Sequence, residues 1–182
     1  MDATSIINTL APLMPRVSYE PGQSVDFATI YVPAASLVET CRALRDTPSL
    51  RFNVLLEVTA ADYLPREPRF EVVYHLLSIP NRLRLRVKVR VGSNEIGGVV
   101  PTVQSVWPAA GWPEREVWDM FGIVFGGHTD LRRLLMPEDW EAHPARKDYP
   151  VQIRKTPNAA EPLQVTEEEF RQNVMKDRLT RG

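Results

Sequence analysis

The sequence predicts an α+β fold: a mainly antiparallel sheet with helices packed on it, followed by an extended, proline- and aromatic-rich C-terminal arm. Three observations carry this prediction. In Leu83–Val91, the apolar residues Leu83, Leu85, Val87, Val89 and Val91 alternate with Arg84, Arg86, Lys88 and Arg90. A period of two places the five apolar side chains on one face of a strand and the four cations on the other. Two further apolar runs of strand length, Leu50–Thr59 and Phe70–Ile79, precede it. After Gly97-Gly98 the alternation stops, and proline, glycine and tryptophan take over. The 16 prolines among 182 residues are about 9%, against a typical ~5%, so long irregular stretches are expected. A chain of this length reads as one domain plus a tail.

Along the chain, residues 4–14 predict a helix with Ile6, Ile7, Leu10 and Leu13 on one side, ended by Pro15. Val25–Val32 predicts a strand. Pro33 opens a second helix, for which Ser36 and Glu39 have the spacing of a capping box. Its apolar face is Leu37, Val38, Cys41 and Leu44, and Pro48 closes it. In Leu50–Thr59, Val54, Leu55, Leu56 and Val58 are nearly continuous, which predicts a central strand covered on both faces. Phe70–Ile79 and Leu83–Val91, joined through Pro80–Arg82, predict an antiparallel hairpin. Its basic face reads as a solvated or aggregation-blocking surface or as a docking site for an acidic partner. Nucleic acid is disfavoured, because no aromatics interleave with the cations.

Beyond Val99, Pro113–Phe121 predicts a short helix, with Pro113 in the first turn and Gly122 at the C-terminal stop. Arg115 and Asp119 are spaced to pair along its surface. Ile123–Pro150 predicts loop with one helical turn near Pro137–Trp140. Residues 151–165 predict an extended arm. Thr166 and Glu169 then begin a charged helix to about Arg178, with a thin stripe of Phe170, Val174 and Met175 that needs a docking partner. The expected organisation is an α+β domain at 1–98, a segment at 99–150 packed on that domain and on partners, and an extended arm with a helix at 151–182.

Composition excludes several functions. The 22 basic and 23 acidic residues give a net charge of -1, unlike a wholesale nucleic-acid or anionic-membrane binder. The single cysteine, Cys41, cannot make a disulfide, a cysteine-rich zinc site or an iron–sulfur cluster, and it reads as a small core residue. No run approaches the ~18 apolar residues of a membrane span. Met1–Leu10 carries no basic signal-peptide region. A soluble, cytoplasmic protein is expected, reaching a membrane only through a partner.

His75 reads as a hydrogen-bonded sheet histidine. His128, Asp130, His143 and Asp148 fit no metal-ligand spacing. Gly97-Gly98 and Gly126-Gly127 lack phosphate-loop context, and nothing suggests a cleft around Glu138–Asp139. No catalytic constellation and no cofactor site emerges. What stands out is Arg115, Arg132, Arg133 and Arg146 among Glu114, Glu116, Asp119, Asp130, Glu138, Asp139 and Asp148, beside Trp107, Trp112, Trp118 and Trp140. These charges suit a network that fixes an irregular loop, a docking surface anchored by Trp and Arg, or both.

The same stretch carries a family resemblance. The run Glu114-Arg115-Glu116-Val117-Trp118-Asp119-Met120-Phe121-Gly122, continued through Gly126-Gly127-His128-Thr129-Asp130-Leu131-Arg132-Arg133-Leu134-Leu135-Met136-Pro137, closely resembles the signature of the C subunit, or 30-kDa subunit, of proton-pumping NADH:quinone oxidoreductase (respiratory complex I). The likeness runs on from Glu138 to Pro150. Upstream, Val58–Tyr63 and Val103–Trp112 are similar to the family's strand end and its approach to the signature. About residues 25–150 are covered. Ala145 departs from the pattern, where a larger apolar residue is usual.

The resemblance implies an α+β scaffold in the hydrophilic peripheral arm, without a cofactor of its own. FMN and iron–sulfur clusters would reside in partner subunits, which pass electrons from NADH to quinone. It implies a hetero-oligomer in contact with the quinone-site D subunit and with neighbouring iron–sulfur subunits such as B and I, on the cytoplasmic side of the inner (plasma) membrane. The structural or interface residues it points to are Trp112, Glu114, Arg115, Glu116, Trp118, Asp119, Phe121, Gly122, His128, Asp130, Arg132, Arg133, Trp140, Arg146, Asp148 and Tyr149. Two alternatives are an equivalent scaffold in a membrane-bound [NiFe] hydrogenase or formate-oxidising complex, and a stand-alone enzyme using His128 and Asp130 as an acid–base pair.

Overall fold

In the computed structural model, the alternating segment Leu83–Val91 is β5, the middle strand of a five-stranded sheet ordered β1-β2-β5-β4-β3. The described residues are 1–92 and 99–150, with Glu168, Arg171 and Gln172. The expected arm and helix at 151–182 lie otherwise outside them. Residues Met1–Tyr149 form one compact unit, which holds the sheet and its helices, and Pro150–Gly182 are assigned to a second.

β4 (Phe70–Ser78) pairs with β5 in antiparallel register from Phe70↔Val91 to Ser78↔Leu83, the predicted hairpin. β3 (Val54–Asp62) pairs antiparallel with β4. β2 (Ala28–Tyr31) lies parallel to β5, and β1 (Glu20–Gly22) pairs antiparallel with β2. The strand expected to be central, β3, is therefore an edge strand. The ladder shifts register between Leu55 and Glu57, which leaves Leu56 52% exposed despite its apolar surroundings.

One cluster forms the core. It joins Ile6 and Leu10 of α1 (Ala3–Leu10), Leu37, Cys41 and Leu44 of α2 (Leu37–Asp46), and the inward faces of β4 and β5. At ~1.5–3 kcal/mol per buried aliphatic side chain, these inward faces strongly favour one register. α1 stops earlier than expected, and Leu13 is exposed. Ser36 does not cap α2: a 3-10 turn over Ala34–Ser36 holds it at φ -105°, ψ 5°, outside the extended conformation that aims a cap hydroxyl at the helix.

The segment after residue 98 enters the same core. Val100, Val103, Trp107, Val117, Ile123 and Phe125 join the cluster. The Trp107 indole N–H donates to the Phe52 carbonyl at 3.2 Å, and Arg45 donates to the Val106 carbonyl at 2.9 Å. A parallel pair, β6 (Val99–Pro101) with β7 (Val124–Gly126), closes this region. Between them α3 spans Gly111–Phe121, beginning two residues before the expected Pro113. Gly122 ends it at φ 78°, the left-handed conformation that glycine adopts at low cost. Downstream, Trp140 N–H meets the Pro137 carbonyl in a single turn.

Three of the four cations on the basic face of β5 are neutralised locally. Arg86 pairs with Asp26, Lys88 with Glu71, and Arg90 with Glu20. Phe27 and Tyr31 lie among these cations, with the Arg90 guanidinium 4.0 Å from the Tyr31 ring centre. Aromatics do interleave, but they come from the neighbouring chain segment rather than from β5. Among the described residues, no helix is long and apolar enough to cross a membrane.

Candidate functional site

Asp119 is fully buried on α3, and the irregular segment after β7 is organised around it. Its Oδ2 accepts the backbone N–H groups of Leu134, Leu135 and Met136 at 2.9, 2.7 and 3.0 Å. Its Oδ1 accepts Arg133 Nη1 at 2.8 Å. Burial opposes ionisation, but these donors outweigh it, and the pKa falls from 3.8 to about 2.

Arg133 is the matching cation. Besides the Asp119 carboxylate it binds the carbonyls of Asp119, Trp140 and Ala142, at 3.0, 2.7 and 2.9 Å. One guanidinium thus ties the end of α3 to chain more than twenty positions onward. Arg115 acts one turn earlier. Its Nε and Nη2 donate to the carbonyls of Arg132 and Arg133, both at 2.7 Å, and Nη1 lies 3.5 Å from Asp130. The expected Arg115–Asp119 pair along the helix does not form. Both side chains instead bind the returning loop, whose turns leave backbone groups without helix or sheet partners.

Glu114 is also fully buried. Its carboxylate accepts the Val103 N–H at 2.8 Å and the Thr102 hydroxyl, joining α3 to the end of β6. Burial raises its pKa, partly offset by those two donors. Glu116, on the opposite side of the helix, is exposed and makes no ion pair or hydrogen bond among the described residues. It stands outside the network.

The two histidines serve as fixed struts. His128 Nε2–H donates to the Gly111 carbonyl at 2.9 Å, and Nδ1 accepts the Asp130 backbone N–H at 3.0 Å. The Asp130 carboxylate turns to Arg132 and Arg115. The acid–base pairing of His128 with that carboxylate is therefore absent. His143 Nδ1–H donates to the Asp119 carbonyl at 2.9 Å, and its ring stands edge-on to Trp118. That ring lies so close over Gly122 that a Cβ there would sit 2.5 Å from His143 Cδ2.

A second buried node joins the loop to the sheet. Arg69, 5% exposed, binds Asp62 through Nε and Nη2 at 2.9 and 2.6 Å, and Asp148 through Nη1 and Nη2 at 3.0 and 2.8 Å. Asp62 also accepts the Lys147 N–H at 2.8 Å. The Arg69 bond lowers the Asp148 pKa to about 2 and drives that of Asp62 lower still. Arg146 pairs with Asp148 and lies over the Phe70 ring, and its carbonyl accepts the Tyr149 N–H at 3.0 Å. Sequence reasoning did not single out Arg69 as a site residue. Asp62 entered only within the Val58–Tyr63 likeness.

The remaining aromatics divide. Trp118 and Phe121 pack against the core, and Trp140 is half-buried. Trp112 is 65% exposed, stacked beside Arg115, and Leu135 is 58% exposed.

Chemically, the arrangement spans a loop and holds it rigid. Among the described residues, no group of three or more His, Cys, Asp or Glu is placed to hold a metal. Cys41 is buried, which raises its thiol pKa far above the ordinary range. His75 is half-buried in β4, its pKa lowered by burial and by Arg86, and its ring has no hydrogen-bond partner among the described residues. It lines a dent of about 150 Å³ with Phe27, Leu56 and Arg84, below the ~300–1,000 Å³ of small-molecule sites.

Known proteins resemble this chain in sequence and fold. Residues 30–155 match the family described as "Respiratory-chain NADH dehydrogenase, 30 Kd subunit". The NADH-quinone oxidoreductase C subunit of Roseiflexus sp. (strain RS-1) is 46% identical over 151 residues, covering 83% of this chain and 86% of that protein. The protein of the same name from Geobacter metallireducens is 54% identical over 125 residues, covering 68% and 75%. Among solved structures, the fold is similar to a chain of the membrane-bound sulfane sulfur reductase, an archaeal respiratory membrane complex. There the TM-score is 0.68 and the identity 27%, over 81% of this chain and 85% of that one. It is also similar to the trypsin-resistant fragment of Nqo5, with TM-score 0.57 and 32% identity over 71% and 99%.

Proposed function

Because the chain belongs to the 30-kDa subunit family of respiratory-chain NADH dehydrogenase, and is thus a subunit of an NADH-quinone oxidoreductase complex, we propose that it is a structural, cofactor-free scaffold there. Its seat is the peripheral arm on the cytoplasmic side of the plasma membrane. Partner subunits carry FMN and iron–sulfur clusters and pass electrons from NADH to quinone. The segment from Val99 onward lies against the quinone-site D subunit, with iron–sulfur subunits such as B and I nearby.

The observation that carries this reading is the use made of the buried charge. Asp119, Arg133, Glu114 and Arg69 are all engaged in holding chain segments together. Exposed at this surface are Trp112 of α3 and Leu135 of the rigid loop. A catalytic site needs a titratable group left free to meet substrate, whereas a pre-organised loop with exposed Trp beside Arg suits a protein interface. The hydrogenase or formate-oxidising alternative gains nothing from the two sequence relatives above, which are named for NADH-quinone oxidoreductase.

The reading is tested with the purified chain and with cells lacking it. The chain alone should contain neither iron nor flavin by metal analysis and optical spectrum. Cells without it should lose assembled complex together with NADH:quinone activity. Stoichiometric iron or flavin in the chain, or full complex activity without it, would overturn the scaffold role.

A further inference from the structure

Away from the Asp119 network, the β4–β5 hairpin end carries arginines that the fold does not use. Asn81, in the hairpin turn, donates through Nδ2 to the carbonyls of Pro48 and Leu50 at 3.2 and 3.0 Å. The Ile79 N–H donates to Asn53 Oδ1 at 3.2 Å. These bonds join the hairpin turn to the α2–β3 connection, so Arg51 and Arg82 follow directly on two segments tied together. Both are exposed, and among the described residues neither guanidinium has an ion-pair or hydrogen-bond partner. Arg84, also exposed, lies only over the Phe27 ring. Ile79, in the same turn, is 60% exposed.

The backbone adds an independent argument. Arg51 and Arg82 have φ of 42° and 52°, both in the left-handed region. Glycine adopts that region freely, while a side chain there is disfavoured. Ala142, the other non-glycine residue with positive φ among the described residues, has its carbonyl held by Arg133. Arg51 and Arg82 gain nothing of that kind from their side chains. Arg69, Arg86, Arg90, Arg115, Arg132 and Arg133 have carboxylate partners. The exposed Arg16, Arg42 and Arg66 have no ion pair among the described residues, but none of these three combines that with a left-handed backbone. Two guanidiniums without partners among the described residues, on neighbouring segments at backbone positions that favour glycine and with exposed Ile79 in the same turn, suit an occupant outside this unit.

We propose that Arg51, Arg82 and Arg84 form a second docking surface, which takes a carboxylate-bearing segment of a neighbouring protein subunit with an apolar residue to cover Ile79. Guanidinium forks match carboxylates in bidentate geometry. The surface rests on the reading that the chain is an assembled subunit, and it assigns a contact beyond the arm.

The test uses Arg51→Gly and Arg82→Gly together in the full chain, because glycine removes the charge and relieves the backbone at once. The purified double variant should unfold about 2–4 °C higher than the parent. Complex captured through this chain should lose its other subunits at lower salt than the parent complex, with subunit affinity reduced about three- to tenfold. An Arg51→Lys, Arg82→Lys chain keeps the charge but not the fork and should fall between the parent and the glycine variant. Equal retention of parent and glycine variant at every salt concentration would overturn the proposal. So would loss of binding to phosphatidylcholine vesicles containing phosphatidylglycerol with complex retention unchanged, since that outcome assigns the arginines to a lipid surface. If the parent chain captures no other subunits even at low salt, the subunit reading fails with it. If the parent captures them and the variant captures them equally, only this surface fails.

Discussion

Asp119→Ala is the sharpest perturbation of the loop. The carboxylate is fully buried, accepts three consecutive backbone N–H groups and pairs with Arg133, which is itself largely buried. Removing one member of a buried charge pair costs ~3–5 kcal/mol, because the other is left uncompensated. Each unsatisfied N–H would add ~1–3 kcal/mol if fully buried. Leu134–Met136 are half-buried or exposed, so water takes over much of that term. The expected loss is about 3–5 kcal/mol, a large fraction of a typical 5–15 kcal/mol. At ~2–4 °C per kcal/mol for a chain of this size, the unfolding midpoint should fall by roughly 6–20 °C. Asp119→Asn should also destabilise. An amide whose oxygen faces the three N–H groups presents its NH₂ to the Arg133 guanidinium, donor against donor. The assay is urea or thermal unfolding of the purified chain, with backbone hydrogen exchange at Leu134–Met136. A loss under ~1 kcal/mol, well below the cost of breaking a buried pair, with protection unchanged at those amides, would refute the account of how this loop is held.

The neighbouring arginines should separate. Arg132→Ala, whose side chain is 68% exposed, should change stability by less than ~0.5 kcal/mol, while Arg133→Ala approaches the Asp119 variant in the same melts. Arg69→Lys should lower stability by about 2–4 kcal/mol, since one ammonium cannot span both Asp62 and Asp148 as the fork does; a neutral result in denaturation would contradict the clamp. Acid should weaken the fold through Asp119 and Asp148: their lowered pKa values make the stabilisation complete above about pH 4 and remove it as pH falls toward about 2. Glu114 acts with the opposite sign. Its raised pKa means stability is greatest below 4.5 and declines as pH rises through the folded value. Glu114→Gln, which still meets Val103 and Thr102, should flatten that decline in unfolding free energies measured between about pH 4 and 8.

The hairpin was legible because alternation in β5 and the short connection both act locally. β1 escaped because a three-residue strand containing Pro21 and Gly22 has no periodicity to read. β3 was misplaced because an apolar run reports hydrophobicity and not which neighbours a strand has; the register shift at Leu55/Glu57 then turns Leu56 outward. β6 and β7 hold Pro101 and Gly126 and pair across α3, a contact no local pattern contains. In the candidate site, the charged residue types stood out, but their partners did not. Helical spacing offered Arg115 to Asp119, whereas Asp119 binds Arg133, fourteen positions on. Arg69 was invisible for the same reason: its bond to Asp148 spans 79 positions. Local rules predict which groups need partners; the long-range return of the loop decides which partners they receive.

The most direct test of the scaffold account is a gentle detergent purification through an N-terminal tag, followed by mass, iron content and NADH:quinone activity of what is recovered. The account predicts a large, iron-rich assembly that oxidises NADH and reduces quinone, with iron and flavin remaining in the other subunits when this chain is dissociated. A well-folded 20.7 kDa monomer recovered alone, or an assembly containing nickel and lacking NADH oxidation, would contradict it.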